Sequence, residues 1–561
     1  MPRLLSTATR SQHRRRNVLA LLASSLTVSL LIGPLHAQRS ETPVPQQVQV
    51  DWSAAARDAQ SLSQLLTLAP KDKAFSPRHR SRVMQRLERY TVKEGMVPLA
   101  HLNEAVADLF PGVATVPIPV LAPFETSRFL NERARFKDGP RLRQNMRREF
   151  LQDAGGTLQV APGATGYDAI VTYDSAALGR RGIASAKRRM VHIAGAAQSY
   201  GRAETGDLVA DMQAEFPGLR RYLGDDEVGY TFRKYGVPYF AIASCSSERT
   251  EPEALTCEQA EDLLRITVRN LRLLGGSPLP VKTRASTLPP PPRRVSSKFH
   301  YFPPGKLLDN TGDDGKEGSP DRNVYANIRF PIKEAPSFAQ SQVFMHVGNC
   351  LSRPGTTDHI VPLDPQPGDR HARYRCNQNQ KQLLQWEGHR ENYGYPWRDN
   401  FCEARRGTPG STLECPAGRG HAGQDIRPKD CPGAATSAKC RTDTHHVVAV
   451  AEGKACRDGN KIRLRFDTTS LYYVYLHMNK RTMNAAGMQD QHCTPVAREQ
   501  VIGKVGNFQD VEGGTTTHLH FEIHPVDALS RFNPYMTLVR AYEQLIRAQG
   551  TEISTTARRD E

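Results

Sequence analysis

The strongest constraint in this chain lies in eight residues near its C-terminal end, Thr517-His518-Leu519-His520-Phe521-Glu522-Ile523-His524. Side chains alternate faces along a strand, so Leu519, Phe521 and Ile523 fall on one side while His518, His520, Glu522 and His524 fall on the other. The apolar side has to meet a core. The opposite side then gathers imidazoles and a carboxylate on one surface, which is either a solvated strand face or the wall of a cleft with at least two imidazoles in reach of one ion.

Other segments alternate in the same way. His446 to Ala451, Lys461 to Phe466 and Leu471 to His477 read as strands of a compact antiparallel β domain, and Pro534 to Gln549 reads as a closing helix. In the front half, Val237 to Ala243 reads as a buried strand. Glu253 to Leu274 reads as a helix, with Leu264, Val268 and Leu271 at i, i+4 and i+7 and with Gly275 and Gly276 placed to stop it. Asp51 to Glu94 also reads as helical, with Leu62, Leu65 and Leu66 on one face and Pro70 ending a turn. Between Ser277 and Arg294 the composition shifts to Pro, Ser, Thr and basic residues, with four consecutive prolines at Pro289 to Pro292. Such a run is extended and semi-rigid, and so predicts a spacer.

These signals predict a multidomain α+β chain. A signal peptide at 1–37 precedes an N-terminal mixed helical or α/β module at 38–280 and a Pro-rich linker at 281–297. A Cys-containing, loop-rich β extension at 298–419 follows, then a C-terminal antiparallel β-rich domain at 420–535 and a helix and tail at 536–561.

Arg10 and Arg14 to Arg16 precede an apolar run from Val18 to Leu35, closed by Ala37 before Gln38. That order is a signal peptide in outline, removed on export, although the run also has nearly the length of an uncleaved anchor. The Arg15-Arg16-Asn17-Val18-Leu19 order resembles a twin-arginine export signal, and either route predicts a periplasmic or secreted location. The ten cysteines fit an exported chain with up to five disulfides. Cys245 and Cys257 form a local pair, and the eight behind them (Cys350, Cys376, Cys402, Cys415, Cys431, Cys440, Cys456, Cys493) have no assignable pairing. No C-x-x-C occurs, which argues against a structural zinc site of that type.

Net charge is 75 − 58 = +17, and 17 − 5 = +12 without the first 37 residues, which carry five Arg and no acid. Outside the cytoplasm a basic surface either meets anionic wall polymers, lipid headgroups and acidic sugars or is solvated charge; genomic nucleic acid is not an expected partner.

Thirteen of the 18 histidines lie behind residue 294, so histidine chemistry is concentrated in the rear of the chain. Gly420-His421-Ala422-Gly423-Gln424-Asp425 gives an H-x-x-x-D spacing whose nitrogen and oxygen donors suit Zn²⁺, with glycines that let the backbone bend both toward one ion. Alone, that spacing is common. Leu471 to Met478 is an apolar, aromatic strand that ends in His477.

In this order and with these neighbours, the segments GHAGQDI, VVAVAEGKA, GNKIRLRF, YVYLHM, VIGKVGN and HLHFEI, spanning roughly 420 to 525, resemble the M23 family of zinc metallopeptidases, of the lysostaphin and LytM type. The resemblance implies a small two-sheet β fold and one Zn²⁺ held by His421, Asp425 and His520, with His518 and His477 as catalytic residues flanking the metal. Three protein ligands leave a fourth position for water. His518 would take that water's proton, and His477 would offer a hydrogen bond or positive charge to the oxyanion. The chain departs from the family in a loop holding Cys431 and Cys440, in Phe508 and Gln509 after Gly506-Asn507, and in the long Cys-bearing segment before His421. The aromatics Tyr395 and Trp397 read either as a wall of the substrate groove or as a tight aromatic turn.

The expected function is that of an exported zinc metalloendopeptidase cutting peptidoglycan cross-links by attack of zinc-bound water, with peptidoglycan or its stem peptides as partner. Membrane contact is expected only through an uncleaved signal segment. Two other readings stand beside it: a catalytically inactive LytM-like activator of another wall hydrolase, and a secreted zinc peptidase acting on proteins. No H-E-x-x-H or G-x-S-x-G motif offers a different hydrolase mechanism. The 38–280 module would dock on wall, occlude the cleft or hold a partner.

Overall fold

The computed structural model describes residues 43–67, 97–127, 156–173, 189–201, 206–224, 227–245, 254–281, 287–306, 318–339, 350–352, 358–362, 376–377, 397–403, 415, 420–428, 442–466, 469–509, 511–526 and 531–553. The expected signal segment, Tyr395, and Cys431 with Cys440 lie outside these residues.

The fold is mixed and sheet-rich, with few helices among the described residues. Seven front strands form one antiparallel sheet: β1 (Gly156–Gly163), β2 (Gly166–Tyr173), β3 (Met190–Ala196), β4 (Asp207–Leu208), β5 (Arg220–Gly224), β6 (Glu227–Lys234) and β7 (Val237–Ser244), in the order β1-β2-β3-β7-β6-β5-β4. A second antiparallel sheet holds seven rear strands: β8 (Ser337–Ala339), β9 (Gln424–Pro428), β10 (Gly453–Asp458), β11 (Lys461–Phe466), β12 (Leu471–Leu476), β13 (His492–Val496) and β14 (Leu519–Pro525), in the order β8-β9-β14-β12-β11-β10-β13. The longer helices among the described residues are α1 (Trp52–Thr67), α2 (Val97–Val106), α3 (Cys257–Arg269) and α4 (Tyr535–Ile546).

Strand alternation explains how these parts stack. In β7, Tyr239, Ala241 and Ala243 join a core with Ala55 and Ala59 of α1, Leu99 and Leu102 of α2, and Leu263 and Leu264 of α3. Phe240 and Ile242 point the other way and meet Tyr472 and Val526 of the rear half. The rear sheet repeats the logic. Leu464, Tyr473, Tyr475, Leu519, Phe521 and Ile523 pack with Leu538, Val539 and Tyr542 of α4. The succession is therefore front helices, front sheet, rear sheet and α4, and from Glu41 onward the chain is one compact unit.

The face of the rear sheet that meets the front sheet is charged. Arg465 donates to the carbonyls of Tyr167 and, at 3.2 Å, Gly195, and lies 3.4 Å from Asp168 Oδ2. Asp168 also accepts from Tyr472 and from His192 Nε2 at 2.8 Å. Burial opposes charge on Asp168, but Arg465 and His192 outweigh it and hold the carboxyl below its usual range. Glu227 binds Lys461 at 2.8 Å, Arg463, and Arg531 at 2.5 Å. A Cβ on Gly166 would overlap Gly195 O and Arg465 Nη2, so only glycine lets the two sheets approach there. Buried charges of this kind are costly to desolvate, and breaking one pair leaves its partner uncompensated.

Several boundaries differ from the sequence reading. The helix expected over Glu253 to Leu274 is α3 alone, started by a Thr256–Gln259 capping box and finished at Asn270. Arg272–Gly275 is instead a strand paired with Val120–Ala122, and Gly275 and Gly276, at φ 156° and 125°, end that strand rather than the helix. Past α4, the expected tail contains Gln549–Glu552, which pairs in parallel with Val295–Tyr301. The described part of the Pro-rich segment lies against the rear half, where Gln544 donates to Pro290 O at 3.0 Å and Asn327 to Thr287 O at 3.3 Å. Among the described residues three cysteine pairs stand at disulfide distance: Cys245–Cys257, as expected, with Cys402–Cys415 and Cys456–Cys493.

Replacing Asp168 by Asn leaves Arg465 without its countercharge, so Asp168→Asn should lower unfolding stability by about 3 kcal/mol in a urea titration of the oxidised protein. A loss under about 0.5 kcal/mol, the range of an ordinary surface substitution, would show that the charged seam does not hold the sheets together.

Candidate metal centre

Two antiparallel neighbours build the centre. β9 and β14 pair with Asp425 directly opposite His520, so both side chains leave the same face of the sheet. His421 stands just before β9, in a loop clamped by the segment 397–403: His421 N donates to Glu403 O at 2.8 Å, and Cys402 N donates to His421 O at 3.0 Å. Two glycines make this turn possible. A Cβ on Gly420 would lie 2.6 Å from Cys415 Sγ, and one on Gly423 would overlap Phe521 O and lie 2.8 Å from His520 Nε2.

One ligand-type atom from each of His421, Asp425 and His520 falls within 4.8 Å of the others, and all three residues are buried. His421 Nε2 is 2.7 Å from His520 Nδ1, and Asp425 Oδ1 is 3.2 Å from each of those nitrogens. Edges of a tetrahedral zinc site with Zn–N and Zn–O near 2.05 Å would be about 3.4 Å, so the triangle is slightly tight but of the right size.

The remaining ring nitrogens fix the protons. His421 Nδ1 meets the carbonyl of Asn400 at 3.0 Å, and His520 Nε2 meets Glu522 Oε1 at 2.8 Å. Both acceptors require a proton on those nitrogens, so the facing pair, Nε2 of His421 and Nδ1 of His520, share a proton across 2.7 Å and become the lone-pair donors once a cation displaces it. Two imidazole nitrogens and a carboxylate oxygen thus converge on one point, a donor set that could hold a cation. Burial works against charge on His520, but Asp425 and Glu522 outweigh it and raise its pKa to about 9, so the surroundings draw positive charge to this point.

His518 lies next to the triangle. Its Nδ1 meets Thr516 O at 2.7 Å, which leaves Nε2 as an acceptor, 3.4 Å from Asp425 Oδ1 and with no hydrogen-bond partner. Burial lowers its pKa and keeps it neutral. His477 stacks 4.5 Å from His518 and 5.9 Å from His520, centroid to centroid. It ends β12 with a left-handed backbone, φ 71°, a conformation that non-glycine residues adopt at a cost of order 1 kcal/mol and that recurs at functional sites. Its Nδ1 meets Phe508 O at 2.9 Å, and desolvation together with the neighbouring His518 and His520 holds its pKa well below the usual value. The neutral ring therefore presents an acceptor, so it can donate to an oxyanion only after taking up a proton.

All five residues expected at the site meet here. Two alternatives left open by the sequence are decided. Trp397 is no groove wall: it is buried between Phe299, Phe330 and Tyr542 and donates to Ser337 O at 3.1 Å, because an indole that large gains more from the core than from an edge. The polar face of β14 is no open cleft either. His518, His520, Glu522 and His524 are only 0–5 % exposed, since the front sheet covers the far end of that face. His524 there meets Glu522, and burial and then Arg531 push its pKa down to about 4.

Sequence reasoning missed Asn400 and gave Glu522 no role. Asn400 supports the centre through its carbonyl and through Oδ1, which accepts from Asp425 N at 3.2 Å, and a backbone carbonyl leaves no signature in sequence. Glu522 was legible, because a carboxylate two residues beyond His520 shares its face. Asp399 anchors the same segment by accepting from Phe401 N and Gly305 N at 2.9 Å and from Asn533 at 2.5 Å. Burial pushes it up to about 7, and these donors offset that only in part.

No protein-family model, no curated protein and no solved structure matches the chain.

An acid whose folded pKa is raised contributes stability that is full below its unfolded pKa near 4 and is lost as pH rises through about 7. The stability advantage of wild type over Asp399→Asn should therefore shrink between about pH 4 and about pH 8 in thermal unfolding. An advantage that stays constant or grows would contradict the buried-acid assignment.

Proposed function

We propose that the chain is an exported zinc metalloendopeptidase of the M23 type, acting on peptide cross-links of peptidoglycan, with His421, Asp425 and His520 as ligands of one zinc ion. The observation that carries this reading is the convergence of two imidazole nitrogens and a carboxylate oxygen on one buried point. Their chemistry favours zinc: two borderline nitrogens and one oxygen are the usual three-ligand set of a catalytic site that keeps an open position. When bound there, zinc supplies Lewis acidity that makes water nucleophilic at neutral pH.

The rest of the work falls to the chain itself. Asn400 O and Glu522 hold the two ligand imidazoles in the tautomers that present lone pairs. His518 Nε2, neutral and without another partner, receives the proton of the attacking water. His477, stacked on His518, stabilises the tetrahedral oxyanion once it carries a proton. The cysteine pairs and the basic charge fit an exported protein meeting an anionic wall. A non-catalytic activator characteristically lacks a ligand or base, and this sequence retains a residue for each role proposed here. A secreted peptidase acting on proteins would use the same centre and differ only in substrate.

Metal content and cleavage of purified muropeptides and of gelatin, measured for three forms of the protein, test the proposal. Wild type should bind one zinc per chain and cut muropeptides. Asp425→Ala should lose both metal and activity. His518→Ala should keep the metal and lose activity by about 100-fold or more, the usual range for a proton-transfer residue. Gelatin cut while muropeptides stay intact would favour the protein-degrading alternative. A folded wild type that binds no zinc, or that cuts neither substrate with zinc bound, would refute the proposal.

A further inference from the structure

Glu522 belongs to two networks at once. Its Oε1 accepts from His520 Nε2 at 2.8 Å, and its Oε2 meets His524 and lies 3.4 Å from Nε of Arg531. Arg531 directs its shorter contact elsewhere, with Nη2 reaching Glu227 Oε1 at 2.5 Å. Glu227 is the first residue of β6 in the front sheet, almost three hundred positions before His520, and its Oε2 binds Lys461 at 2.8 Å and also Arg463. Every member of this chain of contacts is buried.

Among the described residues, Lys461, Arg463 and Arg531 all pair with Glu227, and Arg531 also reaches Glu522. With Glu227 in place, Arg531 is held by the front sheet and touches Glu522 only at long range, so an oxygen of Glu522 remains for His520. Without Glu227, Arg531 would turn fully onto Glu522 and compete with the imidazole for it. A ligand histidine that loses its carboxylate partner loses both basicity and orientation.

We propose that Glu227 is a positioning residue for the metal ligand His520, acting through Arg531 and Glu522, so that the front module is a working part of the metal centre. The inference rests on reading that centre as a metal site. It reaches beyond docking, occlusion or partner binding, because it gives the front half a defined action on one ligand.

The test uses the full chain. Zinc affinity is read by competition with a chromophoric chelator, and ligand geometry by the visible spectrum of the cobalt(II) form. Four variants are compared with wild type: Glu227→Gln, the charge-balanced pair Glu227→Gln/Lys461→Met, Glu227→Asp, and Asp168→Asn, which breaks the same sheet-to-sheet seam away from Glu522. The zinc dissociation constant should rise about tenfold in Glu227→Gln and in the double variant, at the low end of what loss of a ligand's supporting partner costs, and the cobalt spectrum should change with it. Glu227→Asp, with its carboxylate drawn back by one methylene, should show a smaller rise. Asp168→Asn should keep wild-type affinity and spectrum while losing stability. If Glu227→Gln alone fails to fold, the double variant and Glu227→Asp decide between the outcomes. Unchanged affinity and spectrum in folded Glu227 variants would overturn the inference, and so would an equal loss in Asp168→Asn, which would trace the effect to docking in general. A wild-type protein that binds no zinc would instead refute the metal reading itself.

Discussion

The structure depends on one sheet having two faces that must both be buried. β14 presents Leu519, Phe521 and Ile523 to a core closed by α4, and His518, His520, Glu522 and His524 to the other side. The first face is stabilised by apolar burial and needs nothing further. The second carries ionisable groups that cannot leave water uncompensated, so every element around it supplies a countercharge or an acceptor. Asp425 and the Thr516 carbonyl do this at one end, and Arg531, itself held by Glu227, at the other. The candidate metal centre and the seam between the two sheets are therefore two ends of one buried polar stripe.

That continuity changes how the front half is understood. Its sheet is sandwiched between its own helices and the rear sheet, and it offers the rear sheet carboxylates at Asp168 and Glu227 where the rear offers Arg465, Lys461, Arg463 and Arg531. Interfaces between loosely tethered domains are usually more polar and replaceable than a core. Here the contact buries ion pairs together with Phe240, Ile242, Tyr472 and Val526, which ties the two halves into one unit. The proline run is folded into this unit as well, held along the rear half through the carbonyls of Thr287 and Pro290.

What could be read from sequence was what alternation and spacing encode locally. Lys461–Phe466 is the strand its pattern predicts, and Leu471–Leu476 stops one residue before His477, whose left-handed backbone breaks the strand. The partition of β14 into two faces, and the meeting of His421, Asp425 and His520, also follow from pattern, because an H-x-x-x-D turn and an H-x-H strand need only become neighbours. What escaped was carried by groups without a sequence signature or by partners far apart in the chain. Asn400 acts through its carbonyl, and Glu227 is an ordinary acidic residue at a strand start until Arg531 reaches it. The end of α3 leaves no mark in the pattern, because Leu271 and Leu274 keep helical spacing after Val268 although Leu273 and Leu274 are buried in a strand.

The central claim is that three side chains hold one zinc ion through nitrogen and oxygen alone. Zinc K-edge X-ray absorption of the purified full chain tests it most directly. The account predicts a first shell of nitrogen and oxygen at about 2.0–2.1 Å with outer-shell scattering from two imidazoles. A sulfur shell at about 2.3 Å, the signature of cysteine ligands, or zinc with no imidazole scattering, would contradict it.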